Sequence, residues 1–492
     1  MRVFLFLLAS FVAGFVHADE PERPNILMIA VDDLRPMLGC YGDDRIKTPN
    51  IDQLASESML FENAYCNYAK CGLSRLSLMT GLRPASIEVY DHGEENVKAF
   101  RERRADAVPM SRWFRDLGYE TRSFGKIDHD GWDIPEDWSA PPRPGREGEM
   151  WEVFDEEDPG GETIIADRRA CPVMQSPDVP DDHFFAGRMT NEVTALLAAR
   201  ESDEPFFYAV GYRRPHLPFV APKKYRDLYE PDASWLAPNP DAPAGVPFFP
   251  WFNSDGYVGM AKALGEPMPD RMAPAPAMAF NGFEMRSYLG VPCEGPLSEE
   301  LQFDLLGHYA ACISYVDAQI GRLMEQLKKS GLRENTILVF WSDHGWHLGE
   351  MGAWGKMTNY ETGTRIPFLI SVPGKEAGRT NSFAQLVDLY PTLCDLSGLE
   401  KPAHLEGDVL TPILSDAEAE VKSEVFTSYQ RYKGRYFGRA VKNHDYRYVR
   451  WTNRKGGIEA EELYDQRADP LETVNIAGDN PAVVEKINAL LE

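Results

Sequence analysis

Short apolar runs, interrupted only by Ser371, punctuate the chain at 26–31, 206–210, 337–341 and 368–372. A strand with one wet face alternates apolar and polar residues, whereas a strand covered on both faces is apolar throughout. The four runs therefore predict parallel strands inside a sheet. Between them the pattern shifts to the helical period. Its clearest instance sets Tyr309, Cys312, Ile313, Val316, Ile320, Leu323 and Leu327 at three- and four-residue steps, with Gly331 as the stop. Cys312 is thereby a core residue. Strands alternating with amphipathic helices predict an α/β fold around a mostly parallel sheet.

Two stretches break this texture, 133–182 and 231–300, both heavy in Pro, Gly and acidic residues. Long irregular segments on an α/β body are expected to form the rim of a binding site. Past residue 415 the pattern changes again. Segments 439–451 and 462–464 read as strands about a Gly456-Gly457 turn, followed by a helical tail. The expected organisation is a large domain over 19–415 and a small C-terminal α+β subdomain over 416–492. Residues 1–18 read as a signal peptide: Arg2, an apolar run over 3–16, and the small residue Ala18 before Asp19. That run is short for spanning a bilayer and no later segment is long enough, so export to the periplasm or medium is expected, without membrane insertion.

Charge narrows the partners. The net charge is −26, which repels nucleic acid and anionic membranes. An anionic substrate would need a local basic pocket on this acidic body. Seven cysteines, scattered and without a CxxC pair, make neither a disulfide scaffold nor a zinc site.

Ligands of open α/β sheets bind beyond the carboxyl ends of the strands. Two of the predicted strands end in Asp32-Asp33 and Asp343-His344. Acidic residues there also serve as helix caps. As a set, however, three carboxylates with an imidazole suit a hard divalent ion, calcium before magnesium. A third element is Cys71-Gly72-Leu73-Ser74-Arg75 with Thr80-Gly81 following. In it the chain resembles the type I sulfatases, whose signature is Cys-x-Pro-Ser-Arg with Thr-Gly downstream. The resemblance extends to Pro24-Asn25-Ile26, Gly125-Lys126 with His129, and Ser342-Asp343-His344-Gly345. The iduronate-2-sulfatase branch is closer still. Its features recur in Gly211-Tyr212-Arg213-Arg214-Pro215-His216-Leu217-Pro218-Phe219, Trp346, Leu348-Gly349-Glu350, Trp354, Lys356, Asp445-Tyr446-Arg447-Tyr448 and Glu462-Leu463-Tyr464.

The resemblance implies an alkaline-phosphatase-like fold and a sulfuric ester hydrolase acting on a sulfated carbohydrate, with 2-O-sulfated uronic acid units first. It implies that a maturation enzyme oxidises Cys71 to formylglycine. One hydroxyl of the hydrated aldehyde attacks sulfur, and the other lets the intermediate collapse and release sulfate. Asp32, Asp33, Asp343 and His344 would hold one calcium ion together with the modified Cys71. Arg75 would orient the hydrate, and Lys126 and Lys356 would grip sulfate oxygens. His129 would take the proton that releases sulfate, while His216 with Lys356 would assist the departing alcohol. The chain departs from the pattern at Leu73, where the family has Pro, in the segment the maturation enzyme reads. Cys171 aligns with a disulfide cysteine of the iduronate enzymes but lacks a partner at the matching place, so no bridge is expected. Two rival readings share these residues: a phosphonate or phosphate-ester hydrolase, and a sulfated-glycan binding protein that keeps the Cys71 thiol.

Overall fold

The computed structural model describes residues 23–491 apart from 91–92, 130, 144–151, 154–162, 165–169, 248, 252–281, 293–295 and 432–433. The proposed signal segment and parts of both expected rim stretches thus lie outside the described residues. Seven strands form the central sheet: β1 (Asn25–Val31), β2 (Met59–Tyr65), β3 (Glu120–Gly125), β4 (Phe206–Tyr212), β5 (Thr336–Ser342), β6 (Phe368–Ser371) and β7 (Gly378–Gln385), in the order β7-β2-β6-β5-β1-β4-β3. β1 lies between β4 and β5 and is parallel to both, with Ile26 opposite Phe207 on one side and Ile337 on the other.

Why the apolar runs are unbroken is plain from β1. Leu27, Ile29 and Val31 enter one core cluster, and Ile26, Met28 and Ala30 enter the cluster on the other face. The first cluster is closed by helices α2 (Phe185–Ala198) and α4 (Glu299–Lys329), the second by α5 (Leu389–Leu396). The predicted helix is α4. Ser298 caps it by accepting from the Leu301 N–H at 3.3 Å, and Gly331 follows its end at φ 71°. Cys312 is wholly buried there.

The run at 368–372 needs correction. It forms β6, which is antiparallel to β5 and to β2. Burial on both faces dictates an apolar run whatever the strand direction. Direction is set by the connection: from β5 the chain turns back through loops and a four-residue helix, Glu361–Thr364, without a full crossover. The sheet is therefore mixed, though mostly parallel.

The C-terminal part is a four-stranded antiparallel sheet of β8 (Val425–Arg431), β9 (Tyr436–Lys442), β10 (Tyr446–Asn453) and β11 (Ile458–Asp465). The stretch 439–451 is two strands rather than one. Asn443 Oδ1 accepts from the N–H groups of Asp445 and Tyr446 and turns the chain between them. Helix α6 (Pro481–Asn488) packs Ile487 against Val441, Tyr448 and Leu463. The expected division at 415–416 falls between α5 and β8. This sheet is tied to the main body by buried charge. The Arg447 guanidinium meets Glu361 and Glu472, and Lys442 Nζ lies 2.8 Å from Glu361. Among the described residues, no helix is long and apolar enough to cross a membrane.

Candidate active site

Strand ends converge on one place. β1 runs out into Asp32 and Asp33, with Asp33 in the left-handed region at φ 60°. Beside it β5 runs out into Asp343 and His344. The two tails are stitched together, Asp33 N–H donating to Asp343 Oδ1 at 3.2 Å and Leu34 N–H to Ser342 Oγ at 3.1 Å. Helix α1 (Cys71–Thr80) starts at the same level, and all ten of its residues are buried. Ser74 Oγ donates to the Asp343 carbonyl at 2.5 Å, which seats the first turn of α1 against the β5 tail.

β3 delivers Lys126. Its neighbour Gly125 sits at φ 67° opposite Gly211, and a Cβ on Gly211 would run into the Lys126 carbonyl. These two glycines let the β3 and β4 ends approach closely enough to bring Lys126 Nζ to 2.5 Å from Asp32. The segment after β4 carries His216. A short antiparallel pair, His347–Leu348 with Trp354–Gly355, folds Lys356 back over the cluster.

The side chains then meet around Cys71. Its Sγ lies 3.1 Å from Lys356 Nζ, 3.2 Å from His344 Nε2 and 3.9 Å from Asp33 Oδ1. Arg75 places Nε 2.9 Å from Asp343 and a terminal nitrogen 3.3 Å from Asp32, and also donates to the Lys126 and Ile127 carbonyls. Lys356 Nζ is 2.7 Å from Asp33.

The donor set fits a divalent cation. One ligand atom each from Asp32, Cys71, Asp343 and His344 falls within 4.8 Å of the others, as does one each from Asp32, Asp33, Cys71 and His216. Asp33 Oδ2 is buried without a hydrogen-bond partner. His344 Nδ1 faces the Gly345 carbonyl at 2.9 Å, and a carbonyl can only accept. The proton is therefore on Nδ1, leaving the Nε2 lone pair aimed at Cys71 and the carboxylates, which is the tautomer a metal ligand requires.

Electrostatics sort the other groups. Burial opposes charge on Asp32, but Lys126 and Arg75 outweigh it and hold its carboxyl well below the usual range. Burial likewise opposes charge on Lys356, and Asp33 outweighs it, so the ammonium persists. Burial, reinforced by Asp32, pushes the Cys71 thiol up to about 11, so the unmodified residue holds little thiolate at neutral pH. Burial and then Lys356 depress His216 well below the histidine range. Its Nδ1 donates to the Leu217 carbonyl at 2.7 Å, so a bare Nε2 faces the site.

Of the residues expected from sequence, Asp32, Asp33, Cys71, Arg75, Lys126, His216, Asp343, His344 and Lys356 meet in this cluster. His129 lies on the loop beyond Lys126, half-buried with its ring 5.2 Å from that of Trp132. One residue escaped the sequence reading. Glu284, on the short helix α3 (Gly282–Arg286), is buried with its carboxylate 3.4 Å from His216 Nε2 and 3.7 Å from Lys356 Nζ. It belongs to a stretch expected to form the rim, but one glutamate among many acidic residues carries no signal of its own.

Comparison with known proteins agrees with this geometry. The sulfatase family matches residues 24–399, and the N-sulphoglucosamine sulphohydrolase C-terminal family matches residues 349–492. Iduronate 2-sulfatase of Mus musculus is 32% identical over 560 residues, spanning 97% of this chain and 96% of its own. Iduronate 2-sulfatase of Homo sapiens is 35% identical over 414 residues, spanning 77% and 70%. The crystal structure of a phosphonate monoester hydrolase of Agrobacterium radiobacter superposes with a TM-score of 0.72 at 23% identity, covering 95% of each chain. The likeness places the mixed sheet and its flanking helices in the alkaline-phosphatase-like fold.

Proposed function

The chain belongs to the sulfatase family and is a sulfuric ester hydrolase, and from that premise we propose that it desulfates a carbohydrate at 2-O-sulfated uronic acid units. The observation that carries this reading is the cluster itself. Cys71 lies between Lys356 and His344, and two buried lysines supply positive charge on a body of net charge −26. Similarity to the two iduronate 2-sulfatases supports the choice of sugar.

Asp32, Asp33, Asp343 and His344 would hold a divalent cation, and their oxygen-rich set favours calcium. When bound, the cation supplies charge that polarises the sulfate group. Conversion of Cys71 to formylglycine by a maturation enzyme would supply a hydrated aldehyde as nucleophile at the start of α1, where backbone N–H groups favour an anion. Arg75 fixes that position by pairing with Asp343 and Asp32. Lys126 and Lys356 draw in the sulfate oxygens and offset the charge that grows on them during displacement. His216 presents Nε2 to the site beside the Glu284 carboxylate; once Nε2 has taken up a proton, which that carboxylate would stabilise, it would pass the proton to the bridging oxygen as the alcohol leaves. Lys356, charged and adjacent, does the same work electrostatically. His129 is assigned the proton whose removal releases sulfate. Export to the periplasm or medium, where sulfated polysaccharides are met, completes the proposal.

Three measurements test it. The mass of the Cys71 peptide from the native source should show an aldehyde in place of the thiol. Turnover of nitrophenyl sulfate should exceed that of nitrophenyl phosphate, and defined disaccharides should be desulfated at the uronate 2-position. A native protein that keeps the thiol while cleaving sulfate esters overturns the nucleophile. Preference for the phosphate ester overturns the reaction, and preference for sulfated hexosamine overturns the sugar.

A further inference from the structure

A pocket of about 310 Å³ lies apart from the cluster, between the segment leading into α1 and one face of the C-terminal sheet. Phe426 of β8, with Phe437 and Arg439 of β9, lines one side; Asn67, Arg83 and Tyr90 line the other. Three features of this pocket go unused by the fold. The first is charge. The Arg83 guanidinium stands 5.4 Å from the Phe426 ring centroid, and among the described residues no carboxylate pairs with it. Arg439 is exposed, and its register partners are Ser428 on β8 and Arg450 on β10, neither of them acidic. Like charges directly opposite in a sheet are unfavourable. In a chain of net charge −26, and beside Arg447 and Lys442 with their acidic partners, two guanidiniums without an ion-pair partner among the described residues stand out, although the Glu406 carboxylate accepts from the Arg83 backbone N–H at 2.7 Å.

The second feature is an amide. Asn67 is 1% exposed and its Oδ1 accepts from the Val387 N–H at 3.2 Å, yet its Nδ2 lacks a partner. Buried donors are paired as a rule, so this one calls for an acceptor that enters the pocket. The third is aromatic surface. Tyr90 and Phe437 meet edge-to-face with centroids 5.2 Å apart, and both rings, like that of Phe426, remain partly accessible.

We propose that this pocket is an accessory site for an anionic saccharide unit. The C–H face of the sugar ring would lie on the aromatic side chains, a carboxylate or sulfate would take the Arg83 and Arg439 guanidiniums, and a hydroxyl or anion oxygen would accept from Asn67 Nδ2. Arginine suits this task because its planar fork matches both anions. Asn67 precedes Cys71 by four residues, and its carbonyl accepts from the Ser428 N–H at 3.1 Å, so the pocket adjoins the segment that feeds the nucleophile. The inference deepens the sulfated-carbohydrate reading and rests on it: the accessory unit belongs to the same class of polymer as the substrate.

The test uses a heparin octasaccharide and the Cys71→Ala protein, which cannot turn it over. Calorimetric titration at two salt concentrations compares that protein with the same protein carrying Arg83→Gln and Arg439→Gln. The expected result is about tenfold weaker binding and a shallower salt dependence. Arg83→Lys with Arg439→Lys should recover much of the affinity, which a merely structural role of the arginines would not predict. With Cys71 intact, the double Gln variant should turn over nitrophenyl sulfate within about twofold of the unaltered enzyme. If turnover also collapses, Arg439→Gln alone, at an exposed strand position, is titrated and judged by the same loss of affinity. Carboxyl-reduced and O-desulfated octasaccharides identify which anion is held. Octasaccharide affinity unchanged by the Gln substitutions overturns the accessory site. Binding that depends on the arginines in a protein without sulfatase turnover would leave the site standing and overturn the catalytic reading instead.

Discussion

The Arg75 side chain is wholly out of water, with Nε on Asp343 and a terminal nitrogen on Asp32. Removing one partner of a buried pair leaves an uncompensated charge, at a cost of about 3–5 kcal/mol. Asp343→Asn should therefore lower stability by that order and also weaken divalent-ion affinity; denaturant unfolding reads the first and calcium titration the second. Unchanged calcium affinity would remove Asp343 from the ligand set. The proposed roles separate His216 from Lys356. Lys356 touches both Asp33 and Cys71, so Lys356→Ala should cripple every sulfate ester. His216, in its proposed role, would serve the departing alcohol, so His216→Ala should cost about 10²–10⁴-fold on a sulfated disaccharide and far less on nitrophenyl sulfate, whose phenolate leaves without a proton. Measuring kcat and kcat/KM on both substrates decides, because kcat/KM alone would miss a slow later step. Equal losses on both substrates would make His216 a sulfate-binding or structural residue.

Elements were legible in proportion to their burial. The central strands β1, β4 and β5 show as apolar runs because helices cover both faces, and α4 shows its period because one side is core. β2 and β3 were not visible, since Glu62 and Asn63 in one and Glu120 and Arg122 in the other interrupt the pattern at partly exposed positions. The direction of β6 was unreadable because apolarity reports burial and not orientation. Cys71 and the clustered carboxylates were picked out through short motifs at element ends, where chemistry concentrates. Glu284 was not found, since its role exists only where α3 meets residues about 70 positions away on either side. α1 also bears on the Leu73 departure. Leu73 occupies its third position, where the N–H has no partner within the helix, so proline is tolerated there. Its side chain is 2% exposed beside Leu76 and Leu82. Leu73→Pro should thus fold with a loss of about 1–2 kcal/mol of apolar burial, and convert Cys71 at least as fully as before. Peptide mass spectrometry and thermal unfolding check the two halves, and a lower converted fraction would contradict the expectation.

At the scale of the whole molecule, the C-terminal sheet is held by Glu361. Burial raises this carboxyl, but Lys442, Arg447 and Arg365 outweigh it and bring it down from 4.5 to about 2. A depressed folded value means that the contribution is complete above pH 4.5 and is lost as pH falls toward about 2. Unfolding free energy should decline over that window, and Glu361→Gln should flatten the decline while lowering stability near neutrality. An acid limb of the same slope in the variant would assign the loss to other carboxylates. The complete burial of α1 has a consequence of a different kind, one of timing. The segment that the proposed maturation enzyme would have to grasp is sealed beneath His344 and Lys356, which the ribosome supplies 273 and 285 positions after Cys71. Access to the thiol therefore closes when the chain folds, and the proposed oxidation would compete with folding for each new molecule. A copy that folded first would keep its cysteine intact and stay inert until unfolded, however much oxidising enzyme surrounded it. The active fraction of a preparation would then be a record of that race, set by relative rates and not by the final stability of the protein.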